Sequence, residues 1–127
     1  MRSAVSASGA PSAVGYCSQG CVVARASLFC SGALPIDSAS GEFVAGSLGE
    51  ETQQHLRNLE AVCCEAGVRL GAAVRTTIYT AAFAAFAEIT DAYAEAFGPI
   101  PPGRVATERG TLPKRVRPEI DAIVSVS

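Results

Sequence analysis

Arg104 and Glu119 are two side chains whose types could share a reaction. A guanidinium offers a fixed fork of donors that fits a carboxylate, and a glutamate can position or deprotonate a water. The segment carrying them runs from Pro101-Pro102-Gly103-Arg104 through a polar strand and Leu112-Pro113-Lys114 to Pro118-Glu119-Ile120-Asp121-Ala122. If Arg109 and Lys114 close a hairpin, antiparallel pairing sets Arg104 opposite Glu119 on one face, with Cβ atoms about 4.5–5.5 Å apart. A bulge would turn the two side chains apart, and neither Pro113 nor Pro118 can donate to a ladder. On spacing alone a structural cross-strand salt bridge is the commoner outcome, and a carboxylate-and-water site at a subunit seam is the alternative.

The remaining reactive groups offer less. The one histidine, His55, falls among polar positions of a helix and reads as a solvated residue, and no C-x-x-C spacing supplies a structural zinc site, so no metal is expected. Cys63 and Cys64 are adjacent and point in different directions, which suits packing at Cys63; Cys30 has a similar buried-strand reading. Cys17 stands at the mouth of the first strand, in Gly15-Tyr16-Cys17-Ser18-Gln19. A nucleophilic thiol needs a base or cation beside it, so Cys17 reads as a small pocket-lining residue. Asp121 shares a face with Glu119, whereas Glu108 would lie roughly 13 Å along the strand from Arg104.

The elements that must position these residues follow from periodicity. Gly20–Arg25 and Leu28–Ser31 read as two short strands after a Ser/Ala/Gly-rich leader. From about Leu48, Leu56, Leu59, Val62, Cys63 and Ala66 recur at helical spacing until Gly67. Val74–Thr80 is β-branched and suits a strand, a second helix runs from about Phe83 to Phe97, and strands at Val105–Arg109 and Arg117–Val126 finish the chain. The order β-β-α-β-α-β-β predicts an α+β domain spanning residues 1–127, with a mixed sheet and two helices on one face. The uncovered face predicts a homo-oligomer.

At 127 residues and 49% hydrophobic content the chain is long enough for one core. A formal net charge of −2 and an aromatic share of 6% argue against nucleic acid as a partner. Locally, Arg104, Arg109, Lys114, Arg115 and Arg117 crowd the C-terminal segment, as a solvated face or as an anion site. The absence of a long apolar run and of an export signal predicts no membrane association and a cytoplasmic protein with reduced thiols.

Four spans together carry a family resemblance: Val14-Gly15-Tyr16-Cys17-Ser18-Gln19, Cys30-Ser31-Gly32-Ala33-Leu34-Pro35, Val74-Arg75-Thr76-Thr77-Ile78-Tyr79, and Pro102-Gly103-Arg104 through Leu112-Pro113-Lys114 to Glu119-Ile120-Asp121-Ala122-Ile123. In this order the chain resembles the Rid family, also called YjgF/YER057c/UK114. The resemblance implies a chorismate-mutase-like fold, a homotrimer with a central barrel, and clefts between subunits. It further implies hydrolysis of reactive enamines and imines to 2-oxo acids and ammonia without a cofactor. Arg104 would hold the carboxylate of a small-molecule substrate, Glu119 would place the water, and backbone near Gly32 and Ala106 would complete the cleft. Archetypal members usually carry tyrosine at Cys17, glutamine at Ala33, asparagine near Thr90 and often cysteine at Ala106. The smaller residues here imply a substrate bulkier than 2-aminoacrylate. A non-hydrolytic relative that binds or shapes a metabolite in a specialised pathway is the alternative, and the ribonuclease activity of some relatives is a more distant one.

Overall fold

The change of period at Leu48 becomes a helix for a local reason. Ser47 and Glu50 form a capping box: the Glu50 N–H donates to the Ser47 hydroxyl at 3.1 Å, and the Ser47 N–H donates to the Glu50 carboxylate at 3.2 Å. The helix, α1, runs Leu48–Glu65, and Gly67 ends it in a left-handed conformation, φ +81°, that suits glycine. The computed structural model of the chain describes residues 2–13, 18–23, 27–32, 34–44, 46–112 and 116–126.

Six strands make one mixed sheet: β1 (Arg2–Val5), β2 (Gly20–Val23), β3 (Ser27–Cys30), β4 (Ala73–Thr80), β5 (Gly103–Glu108) and β6 (Pro118–Ser125). Their spatial order is β1-β2-β3-β6-β4-β5. The strand β1 lies within the segment expected to be a leader, because Arg2-Ser3-Ala4-Val5 carries too little apolar alternation to announce itself. The second helix, α2, spans Phe86–Phe97, and the first residues of its expected span, Phe83–Ala85, form a 3₁₀ turn.

The expected C-terminal hairpin does not form. The strand β4 lies between β5 and β6, pairing parallel with β5 (Thr76 opposite Arg104) and antiparallel with β6 (Tyr79 opposite Glu119). After β4 the chain crosses over through α2 and returns to run alongside it, the arrangement a parallel pair requires. The next strand, β6, lies on the other edge of β4. Pro118 opens β6, the strand position where a missing N–H is tolerated.

Both helices lie on one face of the sheet. Leu28, Ile78, Ile120 and Val124 from the strands are fully buried with Leu48, Leu59 and Ile89 from the helices. Among the described residues the opposite face carries no helix, and it shows Phe29 at 45% and Val105 at 43% exposure. Among the described residues no helix is long and apolar enough to cross a membrane.

Candidate functional site

Cross-strand partners in a ladder project to the same face, so the register sorts the candidate side chains. Thr76 is buried and its hydroxyl shares a 2.8 Å hydrogen bond with the Tyr93 hydroxyl on α2. Arg104, opposite Thr76, therefore lies on the helix-covered face, at its free edge. Its guanidinium carbon stands 5.1 Å from the ring centroids of both Phe86 and Tyr93, a cation–π arrangement that fixes a flexible side chain. Phe86, Thr90 and Tyr93 follow one another at four- and three-residue spacing, which places Thr90 on the same stripe of α2. Ala106, opposite Ile78, is half-buried on this face. Burial raises the Tyr93 phenol above its usual range, with the Thr76 hydrogen bond and Arg104 acting the other way.

Glu119 belongs to the other face. It sits opposite Tyr79 on β6, half-buried, with Asp121 two residues along. Gly32, just beyond the end of β3, makes room for it: a Cβ at Gly32 would stand 3.0 Å from the Glu119 carboxyl carbon and closer still to Oε1. Burial raises the Glu119 carboxyl above the usual range, Asp121 adds to the rise, and Arg109 opposes it. Arg109 is itself held over Tyr79, its guanidinium carbon 5.0 Å from the ring centroid. A half-buried carboxyl shifted toward neutrality is suited to taking and returning a proton.

The predicted pair is thus divided. Arg104 and Glu119 lie three residues apart along β4, roughly 10 Å, and two strand spacings apart across it, roughly 10 Å more, on opposite faces. The salt-bridge alternative falls with the hairpin: among the described residues no carboxylate lies within ion-pair distance of Arg104. One half-site holds Arg104, Ala106 and Thr90, and the other holds Glu119 and Gly32. Cys17 and Ala33 lie outside the described residues. The C-terminal basic cluster is divided too: Arg117 is ion-paired with Glu51 and donates to the Gly46 carbonyl at 2.7 Å, while Lys114 and Arg115 lie outside the described residues.

Sequence reasoning missed the buried polar stripe of α1 that braces the Glu119 half. His55 is fully buried, not solvated, and its Nε2 accepts the Ile120 N–H at 3.1 Å. One turn before it, Glu51 holds Arg117; one turn after it, Asn58 donates to the Leu34 and Ile36 carbonyls at 2.8 and 2.9 Å. The available signal was position: His55 is seven residues after Leu48 and four before Leu59, on the apolar stripe itself. Cys30 and Cys63 follow expectation, both buried, with thiols that share a hydrogen bond; it lowers the Cys30 thiol's pKa and raises that of Cys63.

A family model described as Endoribonuclease L-PSP matches residues 7–126. A RutC family protein of Pyrococcus horikoshii is 38% identical over 123 residues, 97% of each chain. The 2-iminobutanoate/2-iminopropanoate deaminase of Rattus norvegicus is 36% identical over 123 residues, 97% of this chain and 89% of the relative. The crystal structure of E. coli TdcF with bound serine matches with a TM-score of 0.90 at 28% identity, covering 98% of this chain and 99% of that one.

Proposed function

Because the chain belongs to the Rid/YjgF/RutC (Endoribonuclease L-PSP) family and is related to 2-iminobutanoate/2-iminopropanoate deaminases, we propose that it hydrolyses 2-imino acids to 2-oxo acids and ammonia, at a cleft shared between copies of the chain. Arg104 supplies the observation behind this reading. Its guanidinium lies over two rings without a carboxylate partner among the described residues, so its donors are left for an anion from outside the protomer. TdcF with bound serine is a relative holding a small carboxylate ligand.

The division of the half-sites supports assembly. A reacting water must come within about 3–3.5 Å of the imine carbon, and a single chain keeps Arg104 and Glu119 far apart on opposite faces. A neighbouring copy can supply the missing half only by setting its open face against the Arg104 edge. That contact joins two different surfaces, and such heterologous contacts give closed rings or open filaments, not two-fold dimers. A homotrimer fits this, and the exposed Phe29 and Val105 give the open face apolar area to bury.

In the reaction, Arg104 pairs the substrate carboxylate through two parallel N–H donors. An enamine takes a proton at carbon and gives one up from nitrogen to become the imine. Glu119 removes a proton from water as its oxygen bonds to the imine carbon and returns that proton to the imine nitrogen, giving the carbinolamine. The carbinolamine then passes a proton to nitrogen, the C–N bond breaks, and ammonia leaves the 2-oxo acid. Ala106 and Thr90 leave space beside Arg104 for a side chain longer than that of 2-aminoacrylate.

The test is ammonia release from 2-iminobutanoate generated in situ, with Arg104→Ala, Glu119→Gln and a mixture of the two refolded together. Each variant alone should lose about a hundredfold or more in kcat/KM. The mixture should recover about a quarter of wild-type activity, because randomly assembled rings pair an intact Arg104 half with an intact Glu119 half at that frequency. Full activity in Arg104→Ala overturns hydrolysis at this site, and a mixture no better than its parts overturns the shared cleft. A carboxylate ligand bound without accelerated imine decay would favour the non-hydrolytic reading.

A further inference from the structure

The strand β6 outlasts its neighbour. Pairing with β3 ends at Cys30 opposite Ala122, and two residues further the Ile120 N–H has passed beyond the last β3 partner. A buried N–H without an acceptor is strongly disfavoured, and here the acceptor is Nε2 of His55, reaching down from α1 into the place of the missing strand at 3.1 Å. To accept, that nitrogen must be unprotonated, so the neutral ring carries its proton on Nδ1.

The bonded N–H belongs to the peptide that joins Glu119 to Ile120, so the imidazole fixes the plane from which the Glu119 side chain departs. The other wall of the same slot is the chain leaving β3. There Gly32 abuts the Glu119 carboxylate so closely that a Cβ would stand 3.0 Å from its carboxyl carbon. Asn58, one helical turn beyond His55, ties the chain that follows to the same helix through its two bonds to the Leu34 and Ile36 carbonyls. One rigid helix thus sets both sides of the space in which the carboxylate sits.

We propose that His55 is a positioning residue for Glu119, acting through the Glu119–Ile120 peptide and without touching substrate. The proposal rests on the imine-hydrolysis reading. Small displacements of a proton-transfer group lower turnover far more than they lower binding, and the carboxylate anchor, Arg104, is on another element.

The test uses the full-length protein and 2-iminobutanoate generated in situ, with His55→Leu, His55→Gln and His55→Asn. Gln carries an amide oxygen at the level of Nε2 and can accept the Ile120 N–H, whereas Asn reaches only the level of Nδ1. His55→Leu and His55→Asn should lose roughly tenfold to a hundredfold in kcat with KM within about twofold, and the pH limb of kcat set by Glu119 should move. His55→Gln should restore kcat to within about threefold and return the limb to its wild-type position. Should His55→Leu fail to fold, the Gln and Asn variants alone decide the matter. Equal kcat in those two, or a His55→Leu enzyme with wild-type kcat and pH profile, overturns the proposal. If Arg104→Ala is also fully active, the hydrolysis reading itself has failed; if Arg104→Ala is inactive while His55→Leu is not, only the role of His55 has.

Discussion

Gly32→Ala isolates what the Glu119 half-site requires. The glycine does not occupy the left-handed region, so its backbone accepts an L-residue, and among the described residues the three heavy atoms nearest a methyl there all belong to the Glu119 side chain, with its Cγ and carboxyl carbon each 3.0 Å from the new Cβ. The carboxylate is the far end of a flexible side chain and can give way. Turning it off its rotamer costs about 0.5–1.5 kcal/mol. Replacing glycine by alanine returns about 0.4–1 kcal/mol through the unfolded chain. The two nearly cancel, so a urea titration should place Gly32→Ala within about 1 kcal/mol of wild type. Turnover should respond differently. A proton-transfer group contributes about 10²–10⁴-fold, or about 2.7–5.4 kcal/mol, and a displaced carboxylate forfeits much of that. With ammonia release as the assay, kcat should fall at least about thirtyfold with KM nearly unchanged. Because the alanine acts by moving Glu119, Gly32→Ala combined with Glu119→Gln should be no slower than Glu119→Gln alone. Wild-type turnover in Gly32→Ala, or additive losses in the double variant, would refute the placement of Glu119 as the proton-handling group.

Two further outcomes follow from the open face. Phe29→Lys puts a charge on an apolar position of that face, exposed at 45% in the single chain, and sedimentation should show the proposed homotrimer replaced by a 13.0 kDa species; an unchanged sedimentation coefficient counts against that face as the interface. In that single-chain background the pH dependence of Glu119 becomes readable. Its carboxyl is raised above the ordinary 4.5 by burial and then by Asp121, so the folded state favours the protonated form. The stability associated with Glu119 is therefore present below pH 4.5 and lost as pH rises through the raised value. Glu119→Gln in the Phe29→Lys chain should melt higher than its parent at neutral pH, by a margin that shrinks toward acid; a margin independent of pH would contradict the shift.

Much of the element pattern was legible because it depends on local spacing. The period of α1 and the β-branched run of β4 both declared themselves, and the Ser47–Glu50 cap is a local motif. Neighbour relations were not local. The hairpin reading assumed that Arg104 and Glu119 strands in sequence are strands in space, yet α2 returns the chain parallel to β4, so β5 takes one edge of β4 and β6 the other. Nothing in residues 109–117 marks that crossing. Alternation correctly put Glu119 and Asp121 on one face and Ile120 and Ala122 on the other, but which face receives the helices is a tertiary outcome. His55 was misplaced for a different reason: a polar type outweighed a position on the apolar stripe, and only the unpaired edge of β6 shows why an imidazole belongs there.

The opposed faces of the sheet also have a genetic consequence. In the proposed ring each chain would lend its Arg104 edge to one cleft and its Glu119 face to another, so inheritance of a defect would depend on how many faces it touches. A chain damaged at one half-site spoils one cleft of the ring and leaves its other contribution sound. A chain damaged at both, or misfolded at β4 where the two registers meet, spoils two, and so acts dominantly over the intact copies assembled with it.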